Sequence, residues 1–116
     1  MSHYRWDEIK REELSPLLSR RVIHSERMTV ANFEMKKGAQ VPLHSHDNEQ
    51  ISTVWKGRVR FNIGGEDQIV EAGEAVTIPS NVPHMADALE DSVCLEVFVP
   101  GREDWKRGDD GYMKKR

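Results

Sequence analysis

His44-Ser45-His46-Asp47-Asn48-Glu49-Gln50, answered further along by Ile78-Pro79-Ser80-Asn81-Val82-Pro83-His84, is the stretch whose reading decides the fold. Side chains alternate along an extended strand, so two histidines two apart share one face. Imidazole nitrogen is the commonest protein ligand for first-row metals. A histidine pair, an oxygen donor just behind it and one distant histidine describe a mononuclear site built from His44, His46, Gln50 and His84. A single histidine is more often an ordinary hydrogen-bonded side chain. Three at these spacings, with Gln50, favour ligation. His3 and His24 lack matching partners and read as surface or terminal residues. Glu49 is an alternative oxygen donor, although alternation turns it away from the face that carries Gln50.

Outward from this stretch the pattern is short β-prone runs divided by turns. The runs are 21–24, 28–36, 50–56, 58–63, 68–71, 75–78 and 93–99. Their breaks hold Lys37-Gly38, Lys56-Gly57, Gly64-Gly65 and Ala72-Gly73, and Gly64-Gly65 reads as a hairpin turn. Evenly spaced short strands without a long helix predict an all-β sandwich or barrel. Residues 7–20 are charged with scattered leucines and read as a short helix or an extended arm, with Pro16 limiting any helix. Past Pro100-Gly101 the chain turns polar, and residues 102–107 suit one helical turn carrying Trp105. The expected organisation is an N-terminal arm (1–20), a barrel (21–100) and a C-terminal tail (101–116) packing on it.

If Gln50 faces inward, so do Ser52 and Val54, leaving Ile51, Thr53 and Trp55 outside. Trp55 beside Ile51 is more apolar than a solvated face needs, which predicts a second sheet or a homodimer interface there. Val59, Phe61 and Ile63 form an apolar face, with Arg58, Arg60 and Asn62 opposite.

Composition excludes several functions. A length of 116 residues suits one domain with its own core, and a net charge of −3 provides no basic footprint for nucleic acid. The lone Cys94 rules out an intrachain disulfide and a cysteine-rich zinc site. No apolar run reaches membrane-spanning length, and Met1–Trp6 does not read as a signal peptide. The expectation is a soluble cytoplasmic protein with no nucleic-acid or membrane partner.

These residues resemble a known family. Gly38, His44-Ser45-His46, Gln50 and Gly57 are similar to the first cupin motif, with Gln50 where that motif usually has Glu. Gly73, Pro79 to Pro83 and His84 resemble the second, with Asn81 in place of Gly and Ala88 in place of Asn. Asn tolerates a left-handed backbone better than most side chains, so Asn81 fits the turn. The resemblance spans about residues 28–99 and implies a small double-stranded β-helix, a jelly-roll-like barrel with a metal inside. Nickel, iron, zinc, manganese and copper all suit three imidazoles and one oxygen. With a neutral amide in place of a carboxylate, the ion keeps its full double charge and attracts anions.

A second constellation lies on the apolar run Val93-Cys94-Leu95-Glu96-Val97-Phe98-Val99. Cys94, Glu96 and Phe98 share one face. A carboxylate buried there needs a partner or a role, and burial or a nearby charge tunes it as a general acid or base. The alternative is an edge strand with Glu96 in water. Arg102 can return to the cavity mouth or stay solvated beside Glu103 and Asp104. Glu96-x-Phe98 followed by Arg102-Glu103-Asp104-Trp105 is similar to the small pectin-degradation cupins. That likeness implies opening of cyclic 4,5-unsaturated uronates to linear keto acids, with Glu96, Phe98 and Arg102 as catalytic and substrate-binding residues. The family's acid at the position of Glu96 is usually Asp, one methylene shorter. The implied partner is a small anionic sugar-derived substrate. A metal-dependent dioxygenase or isomerase and a non-enzymatic small-molecule or metal-sensing cupin remain the other readings.

Overall fold

Alternating apolar residues broken by turn formers fold into ten short strands, and the computed structural model describes residues 1–114. In chain order the strands are β1 (Glu12–Ser15), β2 (Leu18–His24), β3 (Thr29–Met35), β4 (Gln40–His44) and β5 (Glu49–Lys56). They continue with β6 (Arg58–Ile63), β7 (Glu66–Glu71), β8 (Glu74–Ile78), β9 (His84–Ala88) and β10 (Ser92–Val99). A six-stranded sheet, β1-β2-β3-β10-β5-β8, faces a four-stranded sheet, β4-β9-β6-β7. Every pairing is antiparallel. The all-β jelly-roll barrel expected from the run spacing is what the chain forms.

The core lies between the sheets. Phe33, Val54, Ile78, Cys94 and Phe98 line it from the six-stranded side, and Val59, Phe61, Val70, Ala86 and Ala88 from the other. Fully burying each large apolar side chain stabilises the fold by about 1.5–3 kcal/mol. Two turns show their cause directly. At Gly57 (φ +86°) an added Cβ would sit 2.2 Å from Ser92 Oγ and 2.4 Å from the Asp91 carbonyl oxygen, so no side chain fits between β5 and the start of β10. Gly64 and Gly65 have φ of 59° and 89°, the left-handed pair that a two-residue hairpin between β6 and β7 requires.

Three strands lie outside the expected runs. β1 and the first half of β2 occupy the segment read as a short helix or arm, where only Trp6–Glu8 forms a 3-10 turn. Leu14 and Leu18 enter the core there, so tertiary burial overrides the charged local sequence. β4 contains Pro42 and β9 reads His-Met-Ala-Asp-Ala, neither of which looks β-prone. Pairing makes them strands: β4 pairs with β9, and β9 lies between β4 and β6. The histidine pair also departs from expectation. His44 ends β4, whereas His46 lies in the β4–β5 loop, so they do not share a strand face and the loop brings His46 round.

β10 sits between β3 and β5, which rules out the edge-strand reading of Glu96. Cys94, Glu96 and Phe98 all point inward and are buried. The short helix α1 (Glu103–Lys106) carries Trp105 into the barrel, and a 3-10 turn (Gly111–Met113) follows it. Residues 115 and 116, the end of the tail expected to pack on the barrel, lie outside the described residues. No described helix is long and apolar enough to cross a membrane.

Candidate metal centre

Register assembles the site. His44, the last residue of β4, pairs directly with His84, the first of β9, and their rings lie 4.2 Å apart. Asn81 adopts φ 65° and donates its backbone N–H to the His46 carbonyl at 2.8 Å. That bond ties the second motif to the loop of the first. The His46 ring then stands 4.9 Å from His84 and 5.4 Å from His44. One ligand nitrogen from each of the three lies within 4.8 Å of the others, so this trio could hold a metal ion. Glu49 is exposed and outside the cluster.

The protonation of these rings is set by the backbone. His44 Nδ1 donates to the Pro42 carbonyl (2.7 Å), His46 Nδ1 to that of Asn48 (3.0 Å) and His84 Nδ1 to that of Val82 (2.8 Å). Burial pushes His44 and His46 down to about 4, and lowers His84 too. The Arg102 charge adds to the effect at His46. All three are therefore neutral at neutral pH with the Nε2 lone pair free, the state a metal requires. His84 Nε2 is buried and has no hydrogen-bond partner. His46 Nε2 faces Gln50 Oε1 at 3.1 Å. With the proton on Nδ1, these two lone pairs face each other and one metal ion between them would satisfy both. Two ligand atoms about 2.1 Å from one ion at a right angle lie about 3.0 Å apart, which matches. The donor set fits a divalent transition ion.

Two hydrogen bonds orient the Gln50 amide. Its Nε2 donates to Glu96 Oε1 (2.8 Å) and to Ser52 Oγ (3.0 Å), and Ser52 donates in turn to Glu96. The β5–β10 register produces this chain by pairing Ser52 with Glu96 and Gln50 with Phe98. Burial lifts the Glu96 carboxyl to about 7, against the lowering pull of the Ser52 and Gln50 hydrogen bonds. Cys94, one inward position away, has its thiol pushed up by burial and by Glu96, and is inert as a nucleophile.

Arg102 returns to the cavity and is 1% exposed. Its guanidinium lies over Phe98 (4.7 Å) and Trp105 (4.4 Å). Asp104 holds Nε and Nη2 as a bidentate pair at 3.0 and 2.8 Å, and the Tyr112 hydroxyl accepts from Nη2 at 2.8 Å. The other side of Trp105 carries Arg20, at 4.2 Å, itself paired with buried Asp110. Sequence reading missed four of these residues. Ser52 was placed inside by alternation but given no role. Asn48 holds His46 through its carbonyl, and its amide donates to the Pro100 and Gly101 carbonyls (2.7 and 3.1 Å). Asp104 and Tyr112 had no signal, because only the fold returns the tail to the mouth. The cavity among His44, Gln50, His84, Glu96, Arg102 and Tyr112 measures about 40 Å³.

Fold and site together define a cupin: the cupin domain model matches residues 31–100, and the chain belongs to that family. Within it, the chain is 33% identical over 102 residues to the pectin degradation protein KdgF of Dickeya dadantii, covering 85% of this chain and 93% of that one. The structure of KdgF from a Halomonas species superposes with a TM-score of 0.84 at 28% identity, covering 90% of this chain and 99% of that one. An oxalate-binding protein of Thermotoga maritima is 29% identical over 73 residues, covering 62% of this chain and 60% of that protein.

Proposed function

We propose that His44, His46, His84 and Gln50 hold one divalent transition metal and that the protein opens 4,5-unsaturated uronates to linear keto acids. The observation that carries this reading is the Gln50 amide, whose oxygen faces a histidine lone pair while its nitrogen is held by buried Glu96. One side chain thus joins a cation site to a carboxyl group able to carry a proton. The likeness to two KdgF proteins supplies the substrate class. When bound, the metal supplies Lewis acidity at a substrate oxygen. Glu96 moves the proton lost from the anomeric hydroxyl to C4 as the ring C–O bond breaks. Phe98 packs on the sugar. Arg102 provides positive charge for the carboxylate, with Nη1 free of hydrogen bonds among the described residues and Nη2 shared with Tyr112. The C4=C5 bond absorbs in the ultraviolet. Metal-loaded protein should therefore abolish the absorbance of an unsaturated uronate, and unchanged absorbance with galacturonate- and mannuronate-derived substrates would reject the reading.

The small cavity favours a second reading, a binder of small carboxylates. An engineered cavity of about 150 Å³ holds benzene. The roughly 40 Å³ present here suits an anion of oxalate size, and one relative is named for binding oxalate. Oxalate binding without turnover of any uronate would select it.

We also propose that a second copy of the chain covers the outer face of the six-stranded sheet. Ile23, Val30, Val97, Ile51 and Thr77 form one cross-strand row there with no charge in it. Trp55 and Val99 extend the patch and are about half exposed. A solvated sheet face is normally polar. Sedimentation should find a dimer that Trp55→Lys dissociates, and a monomeric wild type would reject the dimer.

A further inference from the structure

We propose that Tyr112 is the door of the candidate metal centre, a ring that sets the size and speed of what reaches it. This inference rests on the metal-centre reading above. The Tyr112 ring lies 4.6 Å from the His44 ring, tilted by 31°, and lines both the cavity and a second groove formed with Pro16, Leu17, Gln40 and Pro42. The space behind it, about 40 Å³, holds two or three waters. A six-carbon sugar acid cannot enter while the ring stays there.

The frame of the door is fixed and the panel is not. On the far side of Trp105, buried Arg20 holds Asp110, and Met113 packs against Arg20 with its sulfur 3.6 Å from Nη1. These contacts keep the backbone of the turn in place. The Tyr112 side chain is only half-buried, and at the preceding Gly111 an added Cβ would meet nothing within 4 Å. Its one described side-chain hydrogen bond is the hydroxyl to Arg102 Nη2 at 2.8 Å. Arg102 is also the nearest fixed positive charge for an entering carboxylate. The carboxylate of an arriving ligand takes the place of the phenol on Nη2, a charged acceptor replacing a neutral one. The bond that closes the door is thus the bond the ligand competes for. Entry needs a rotation of one side chain, with no opening of the barrel.

The test compares wild type, Tyr112→Ala and Tyr112→Phe, all nickel-loaded and matched for folding by circular dichroism. The second-order rate of nickel removal by EDTA, a bulky tetracarboxylate probe, should rise about tenfold or more in Tyr112→Ala, the scale of losing a hydrogen bond to a charged group. Tyr112→Phe keeps the ring but frees it from Arg102, and should fall between the two. Nickel affinity at equilibrium should stay within about threefold, since Tyr112 offers the ion no ligand. D-galacturonate binding to the cobalt-loaded protein should strengthen about tenfold in Tyr112→Ala. Equal EDTA rates in the three proteins would overturn the door and leave the uronate reading standing. Wild type that holds no nickel would overturn the metal centre, and the door with it.

Discussion

The two walls of the barrel are built from different chemistry. The inner face of the four-stranded sheet is Val59, Phe61, Val70, Ala86 and Ala88, with His44 and His84 where β4 and β9 meet. The inner face of the six-stranded sheet carries Arg20, Thr29, Gln50, Ser52 and Glu96 among its apolar residues, all of them buried. One wall is a packing surface; the other is a wired surface, where Gln50, Ser52 and Glu96 bond one another, Arg20 holds Asp110 and Thr29 accepts from the Arg102 N–H. Buried polar groups are costly when unpaired, so the second wall survives only as a complete network. The difference teaches that the site is a seam: the plain wall presents the His44 and His84 rings, and the wired wall presents the Gln50 amide and the Glu96 carboxyl.

That contrast can be broken most severely on the wired wall. Glu96→Gln preserves shape and removes the proton, so turnover of an unsaturated uronate should fall by about 10²–10⁴-fold with metal content unchanged. Ultraviolet progress curves and metal analysis read both quantities, and a smaller loss would mean Glu96 is structural. On the plain wall, Val59→Ala should cost about 2 kcal/mol in denaturant unfolding and leave metal affinity unaltered, because Val59 is fully buried and touches packing alone. A change in metal affinity there would erase the distinction between the walls. The smallest effect sharpens the contrast. Gln50→Glu sets a second carboxylate against Glu96, whose oxygen now lies 2.8 Å from the amide nitrogen. The metal-free protein should lose about 1–2 kcal/mol at pH 8 through like-charge repulsion, and a divalent ion should restore it. Thermal melts with and without nickel check this.

How much of this was legible before folding varies by residue. The seven β-prone runs became β2, β3, β5, β6, β7, β8 and β10, because period-two alternation is a local property. The inward set Gln50, Ser52 and Val54 followed from the same period. β4 and β9 are not legible locally because β4 is a strand only against β9, and β9 only between β4 and β6. His46 was assigned to a strand but sits in a loop, since the spacing of the histidines does not reveal where β4 ends. Arg102 was left between the mouth and the solvent; the fold buries it and hands its fork to Asp104.

The sequence by itself determined the motif histidines, the neutral amide among them and the alternation that puts Cys94, Glu96 and Phe98 on one face. These depend on residue identity and on neighbours a few positions away. Tertiary structure alone decided that Gln50 bridges His46 to Glu96, that Arg20 and Arg102 enclose Trp105, and that Tyr112 covers His44. The physical reason is that cross-strand register and the return of the tail join residues far apart in the chain. Such pairings are selected by the burial and hydrogen bonding of the whole barrel, which no local stretch encodes.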